Sequence, residues 1–271
     1  MKTRNETDMN EQRENGKIGG LAESLVIAFS MYSRIPMPMV AWTEKGMKYA
    51  LCFFPAVGIA VGAAVAAFWQ LSRLLGLGDW SRLCVETALP LLMTGGIHMD
   101  GFLDTVEARS SHQSRERKLE ILKDPHAGAF AIAGCGVYLL FYAAAFSELS
   151  PEAFPGIAGV FVMSRALSGY SAVTFPKAKK DGLVTAFAKG ASQAPAAVSG
   201  ILLCWLVGGF FWILLTGGLV MALAAGAGAA AAFLWYRRMA LWEFGGITGD
   251  LAGYFLQMAE LFMIGAAALA G

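Results

Sequence analysis

The chain has 271 residues, 56% of them hydrophobic and only 15% charged, with a net charge of +1. Soluble domains carry about 25% charged residues, so this composition excludes a secreted module, a nucleic-acid-binding domain and a disordered tail protein. Uncharged runs of 24 residues from Tyr49 to Ser72, 21 from Ala127 to Ser147 and 46 from Ala191 to Tyr236 each exceed the ~20 residues that cross hydrocarbon once. They predict an all-α fold, a polytopic transmembrane helical bundle.

Residues 1–17 carry four basic and four acidic side chains and no small-residue cleavage pattern, so they read as a polar, flexible cytosolic tail rather than a signal peptide. Residues 18–271 then form one integral-membrane domain. Ile18 to Tyr32 is only fifteen residues long, contains Glu23 and stops before Arg34, Pro36 and Pro38, which suits an interfacial or re-entrant helix. Seven spans follow, at about Lys48–Leu75, Leu83–Arg109, Gly128–Glu148, Ala153–Phe175, Pro195–Leu215, Gly218–Tyr236 and Leu251–Ala270. The 46-residue run must be two helices, because one would be roughly 70 Å long; Thr216-Gly217-Gly218 supplies the reversal.

Basic residues fill three connections: Arg109, Arg115, Arg117, Lys118 and Lys123; then Lys177, Lys179, Lys180 and Lys189; then Arg237 and Arg238. The intervening connections near Glu148 to Glu152 and at Thr216 to Gly218 have none, so the positive-inside rule places the basic ones in the cytosol. Lys177, Lys179 and Lys180 read as an orientation signal or a contact to anionic lipid. Cys52, Cys84, Cys135 and Cys204 stand singly in apolar stretches, which suits packing rather than metal or redox chemistry. The small-residue surface from Ala222 to Ala232 would serve either packing within the chain or a homo-oligomer interface.

Eleven of the 41 charged residues lie between Asp100 and Asp124. On a helix Asp100, Asp104 and Glu107 stand at i, i+4 and i+7, so three carboxylates share one face and repel. A hard cation such as Mg2+, with phosphate oxygens, would neutralise them; the alternative is a solvated helix end whose acids pair with Arg109, Arg115 and Lys118. Asp124, before Pro125, either joins the candidate metal or phosphate site or is an ordinary turn aspartate. Gly95 and Gly96 would let a diphosphate approach the backbone, or simply allow close helix packing. His98 reaches the carboxylate face only if the glycines distort the helix, as a proton-transfer or substrate-binding group; otherwise it is a packing histidine.

The run Thr94-Gly95-Gly96-Ile97-His98-Met99-Asp100-Gly101-Phe102-Leu103-Asp104, with Glu107 after it and Asp124 to Gly128 downstream, resembles the signature of the cobalamin synthase family, the adenosylcobinamide-GDP ribazoletransferases. Ser33-Arg34-Ile35-Pro36, Phe54-Pro55, Ser164-Arg165, Gly245 to Asp250 and Glu260 occur in the family's order, so the resemblance covers nearly the whole chain after residue 17. Three positions depart from it. Glu107-Ala108 replaces an aspartate and a glycine, Pro125 and His126 stand where serine and arginine are usual, and Gln257 occupies an often acidic position.

The resemblance implies a membrane enzyme that joins adenosylcobinamide-GDP to α-ribazole, or to its 5′-phosphate, and releases GMP. Asp100, Asp104, Glu107, Asp124 and Asp250 would then hold one or two Mg2+ ions. Gly95, Gly96, Lys123, Ser164 and Arg165 would bind substrate, and His98, Asp100 or Asp104 would take the hydroxyl proton. Arg165 has its own argument, since a guanidinium inside a span is costly and usually faces a cavity or a partner. Asp250 could instead cap the last helix, and Glu260 is either a buried structural acid or a support for the site. Two other functions are weaker. A CDP-alcohol phosphotransferase needs a further D-x-x-x-D after the Asp100 and Asp104 pair, and a transporter should show repeated halves.

Overall fold

A chain this apolar can satisfy its backbone in lipid only by forming helices. The computed structural model describes residues 20–270, so the expected tail at 1–17 lies outside the described residues, as do the first two residues of the expected interfacial helix. In chain order the helices are α1 Gly20–Tyr32, α2 Glu44–Ala50, α3 Phe54–Leu74, α4 Asp79–Thr94, α5 Ile97–Ser110, α6 Arg115–Ile121, α7 Ala129–Ser147, α8 Ile157–Thr174, α9 Leu183–Ala191, α10 Pro195–Met239 and α11 Gly249–Ala270. Among the described residues there is no strand, only an isolated bridge between Lys177 and Ile247.

Among the described residues, five continuous helical stretches are long and apolar enough to cross a membrane: Glu44–Leu74, Ala129–Ser147, Phe154–Thr174, Pro195–Phe244 and Gly249–Ala270. The fourth is two crossings. Gly218 has φ 82° and ψ 173°, and the Phe210 ring packs against Gly226, a pair that a straight helix would hold about 24 Å apart. The expected reversal is therefore present. Apolar side chains such as Leu140, Phe141, Leu215 and Leu223 lie exposed on the outside, as they must where lipid tails are the solvent.

The expected single span from Leu83 to Arg109 is corrected by the structure to two helices. Gly95 and Gly96 both adopt left-handed φ, 65° and 77°, and their N–H groups donate to Leu92 O and Leu91 O. That pair closes the end of α4 and cannot continue a right-handed helix. The chain turns and restarts as α5.

α8 is the hub, buried on nearly every face and flanked by α3, α10 and α11. Small residues bring the backbones together: a Cβ on Gly58 would strike Phe161 O, and one on Gly159 would strike Gly209 O. Ala222, Ala225, Ala229 and Ala232 are buried inside the chain, where the second arm of α10 packs along α11. These four thus serve intramolecular packing, while Ala227, Ala230 and Ala231 of the same stretch are exposed. α1, 13 residues or about 20 Å, is shorter than the ~30 Å core and is pinned to α2, with Ser24 Oγ donating to Gly46 O at 2.7 Å and Thr43 Oγ1 to Glu23 Oε1 at 2.5 Å.

Candidate active site

The three basic connections meet at one end of the bundle. Arg109 and Lys118 both pair with Glu243, at 3.1 and 2.8 Å, Arg115 donates to Trp242 O, and Arg109 also donates to Tyr254 OH at 3.0 Å. The connection after α8 is stitched to the one before α11: Ile247 N–H donates to Pro176 O and Ala178 N–H to Ile247 O. This stitch carries Lys179 to the start of α11, where its Nζ lies 3.7 Å from Asp250 Oδ2.

Gly101 makes the next juxtaposition. A Cβ there would sit 2.6 Å from Asp250 O, so only glycine lets α5 lie against the first turn of α11. Asp100, beside Gly101, and Asp250 thereby face one cavity of about 340 Å3. Asp104 stands one turn further along α5, half-buried, with Asp100, Asp250 and Asp124 near enough to repel its charge and Lys179 as the opposing cation. Thr248 Oγ1 donates to Asp250 Oδ2 at 3.2 Å and accepts the N–H of Leu251, so Thr248 caps α11 while Asp250 remains at the cavity.

The opposite wall is apolar and aromatic: Tyr32, Leu51, Phe54, Leu183 and Phe187. His98 lines it too. The break at Gly95-Gly96 restarts the helix with His98 buried against the Tyr32 and Phe54 pair, ring centroids 5.9 and 5.7 Å away, and its Nε2 has no hydrogen-bond partner. Residues that the sequence does not place at the site complete the wall, notably Lys179, expected as an orientation signal or lipid contact, with Asp181 and Thr185 on the connection and helix after α8. A lysine within a basic connection looks like an orientation signal, and only the stitch to Ile247 distinguishes Lys179 from Lys180, which stays exposed.

Other expected site residues do not line the cavity. Glu107 Oε2 accepts the N–H of Ala131 at 2.8 Å, so this carboxylate sits on the N-terminus of α7, where the helix dipole favours it. Asp124 is exposed and bonded to His126, whose backbone N–H and ring Nδ1 meet Oδ1 at 3.0 and 2.8 Å; the backbone bond first holds the carboxyl below its usual range. Lys123 is exposed beside it. Ser164 and Arg165 do not line the cavity. Arg165 Nη1 donates to Glu260 Oε1 at 2.5 Å, both side chains at most 2% exposed, with Ser164 and Tyr142 hydroxyls on the same carboxylate. Gly95 lies under Arg34 and Gly96 forms the turn, and it is their successors Ile97 and His98 that reach the cavity.

No three His, Cys, Asp or Glu side chains among the described residues converge closely enough to enclose a metal ion. Asp100 and Asp250 instead stand around an open cavity, with Asp104 close behind. Their oxygens are a hard donor set, suited to a cation that completes its shell with water and phosphate.

Comparison with known proteins gives a consistent result. Residues 24–268 match the family described as cobalamin-5-phosphate synthase. An adenosylcobinamide-GDP ribazoletransferase of Lachnoclostridium phytofermentans is 46% identical over 238 residues, covering 88% of this chain and 90% of that protein. Proteins of the same name from Clostridium botulinum and Desulfitobacterium hafniense are each 32% identical, covering 89% of this chain and 95% of theirs. No solved structure matches. With the family match running from α1 into the last turns of α11, the chain belongs to the cobalamin-5-phosphate synthase family.

Proposed function

We propose that this integral membrane protein transfers a phosphoryl-linked group, joining adenosylcobinamide-GDP to α-ribazole or its 5′-phosphate and releasing GMP. The observation that carries the reading is one cavity with an acidic wall, Asp100 and Asp250 with Asp104 behind them, and an aromatic wall, Tyr32, Phe54 and Phe187. Carboxylates suit metal-neutralised diphosphate, and aromatic rings suit the flat base of a nucleoside. The relatives' printed name joins the two needs in one reaction.

A ribose hydroxyl attacks the phosphorus that carries the cobinamide, the bond to GMP breaks, and the hydroxyl proton leaves to a base. Such a step asks mainly for alignment and charge neutralisation. Asp100, Asp104 and Asp250 would hold Mg2+, which when bound supplies positive charge to the diphosphate. Lys179 contributes the protein's own cation beside Asp250. His98, walled by aromatic rings and with Nε2 unpartnered, is the group we assign to accept the proton. The site's end gathers all three basic connections, which supports its facing the cytosol across a bacterial inner membrane.

The test is GMP release and corrinoid product from purified protein given adenosylcobinamide-GDP and α-ribazole, with and without Mg2+. Product that requires the metal is expected. Turnover of a CDP-alcohol in place of these substrates would overturn the assignment.

A further inference from the structure

A second cavity, of about 570 Å3, opens at the other end of the bundle. Trp69 lines it, 15 residues along α3 from Phe54 of the first cavity, about 22 Å at helical rise. The end of α3, the start of α4 and the end of α7 form its walls. It holds charge that the bundle does not otherwise use. Glu86 is 2% exposed, and its Oε1 makes no hydrogen bond, Arg82 Nε being 3.7 Å away. Arg82 is engaged at 2.9 Å by Asp79. Arg73 lies over the Trp69 ring, 4.9 Å from its centroid, and has no carboxylate within salt-bridge distance among the described residues.

These four groups sum to zero, with one guanidinium unpaired and one buried carboxylate oxygen unbonded. A buried polar atom without a partner is costly, so the cavity favours a ligand that supplies a donor to Glu86 and an anion to Arg73. Trp80 lines the cavity and is 79% exposed, and Leu74 and Leu75, which follow the lining Arg73 in sequence, are 84% and 64% exposed. Tryptophan at the end of a span marks the headgroup level of a bilayer.

We propose that this cavity binds a membrane phospholipid with a zwitterionic, primary-amine headgroup. Its phosphate meets Arg73, its ammonium donates to Glu86, and its acyl chains lie along Leu74, Leu75 and Trp80. Charge complementarity selects the class. An anionic glycerol headgroup offers no cation to Glu86, and a choline headgroup has the charges but no N–H to donate.

The test is thermal unfolding, followed by tryptophan fluorescence, of delipidated full-length protein in detergent with added phosphatidylethanolamine, phosphatidylcholine or phosphatidylglycerol. Phosphatidylethanolamine should raise the midpoint by about 3 °C more than either of the others, the scale of one specific ligand. Arg73→Gln and Glu86→Gln should each abolish that difference. Arg73 is a surface residue, so its variant stays informative even where Glu86→Gln folds poorly. Equal stabilisation by all three lipids, or a preference that survives Arg73→Gln, would overturn the proposal. Soluble phosphoethanolamine producing the full shift would overturn the membrane lipid as the occupant.

Discussion

Two regions of this bundle, its middle and its basic end, hold their charged groups in opposite ways. In the middle, Arg165 and Glu260 are sealed, and the carboxylate is shared among one guanidinium and two hydroxyls. At the basic end, Asp100, Asp104 and Asp250 stand close together, with Lys179 the one cation among the described residues that offsets them. Burial makes an unpaired charge expensive, so a satisfied network stabilises, whereas a deficit of positive charge left at an open cavity is there to be filled. The lesson is that pairing, rather than the mere presence of charge in a span, separates structure from chemistry.

Asp104→Asn should break the open site, lowering turnover roughly 1,000-fold, about 4 kcal/mol of barrier, with the fold retained, as checked by GMP release and thermal unfolding. Glu260→Leu should do the reverse. It leaves Arg165 buried and unpaired at a cost of about 3–5 kcal/mol, and adding Arg165→Leu should recover much of it, measured as unfolding midpoints of the single and double variants. Lys179→Met removes the cation beside Asp250 and should raise KM for the diphosphate substrate roughly tenfold, equivalent to about 1.4 kcal/mol, with a smaller change in kcat. Glu107→Gln weakens the cap on α7 and should cost about 1 kcal/mol of stability while the enzyme keeps most of its turnover. A large, purely kinetic loss in Glu107→Gln would move that residue into the open site.

Much of this was legible beforehand because membrane helices are written in long uncharged runs. The ends of α7 and α11 and the reversal at Gly218 fall within a few residues of expectation. The break at Gly95-Gly96 was visible only as two glycines, since left-handed φ depends on what the turn packs against, here Arg34. Asp100, Asp104 and Asp250 were found by helical spacing and family pattern, and the fold brings them together. Arg165 was singled out because a charge in a span is costly. That argument cannot say whether a cavity or a partner compensates it, and the partner, Glu260, lies 95 residues away. In the sequence Lys179 reads only as one of three basic residues, because its placement depends on backbone bonds between two distant connections, Pro176 to Ala178 and Ile247.

The most direct test sets Asp104→Asn and Glu260→Leu side by side, measuring GMP release per folded molecule and the thermal midpoint of each. The account predicts opposite outcomes. Asp104→Asn should keep or raise the midpoint, since it relieves like-charge repulsion, and lose turnover; Glu260→Leu should lower the midpoint by several degrees while the molecules that remain folded turn over near the wild-type rate. Asp104→Asn protein that is folded and active would contradict the assignment of the open carboxylates to the reaction.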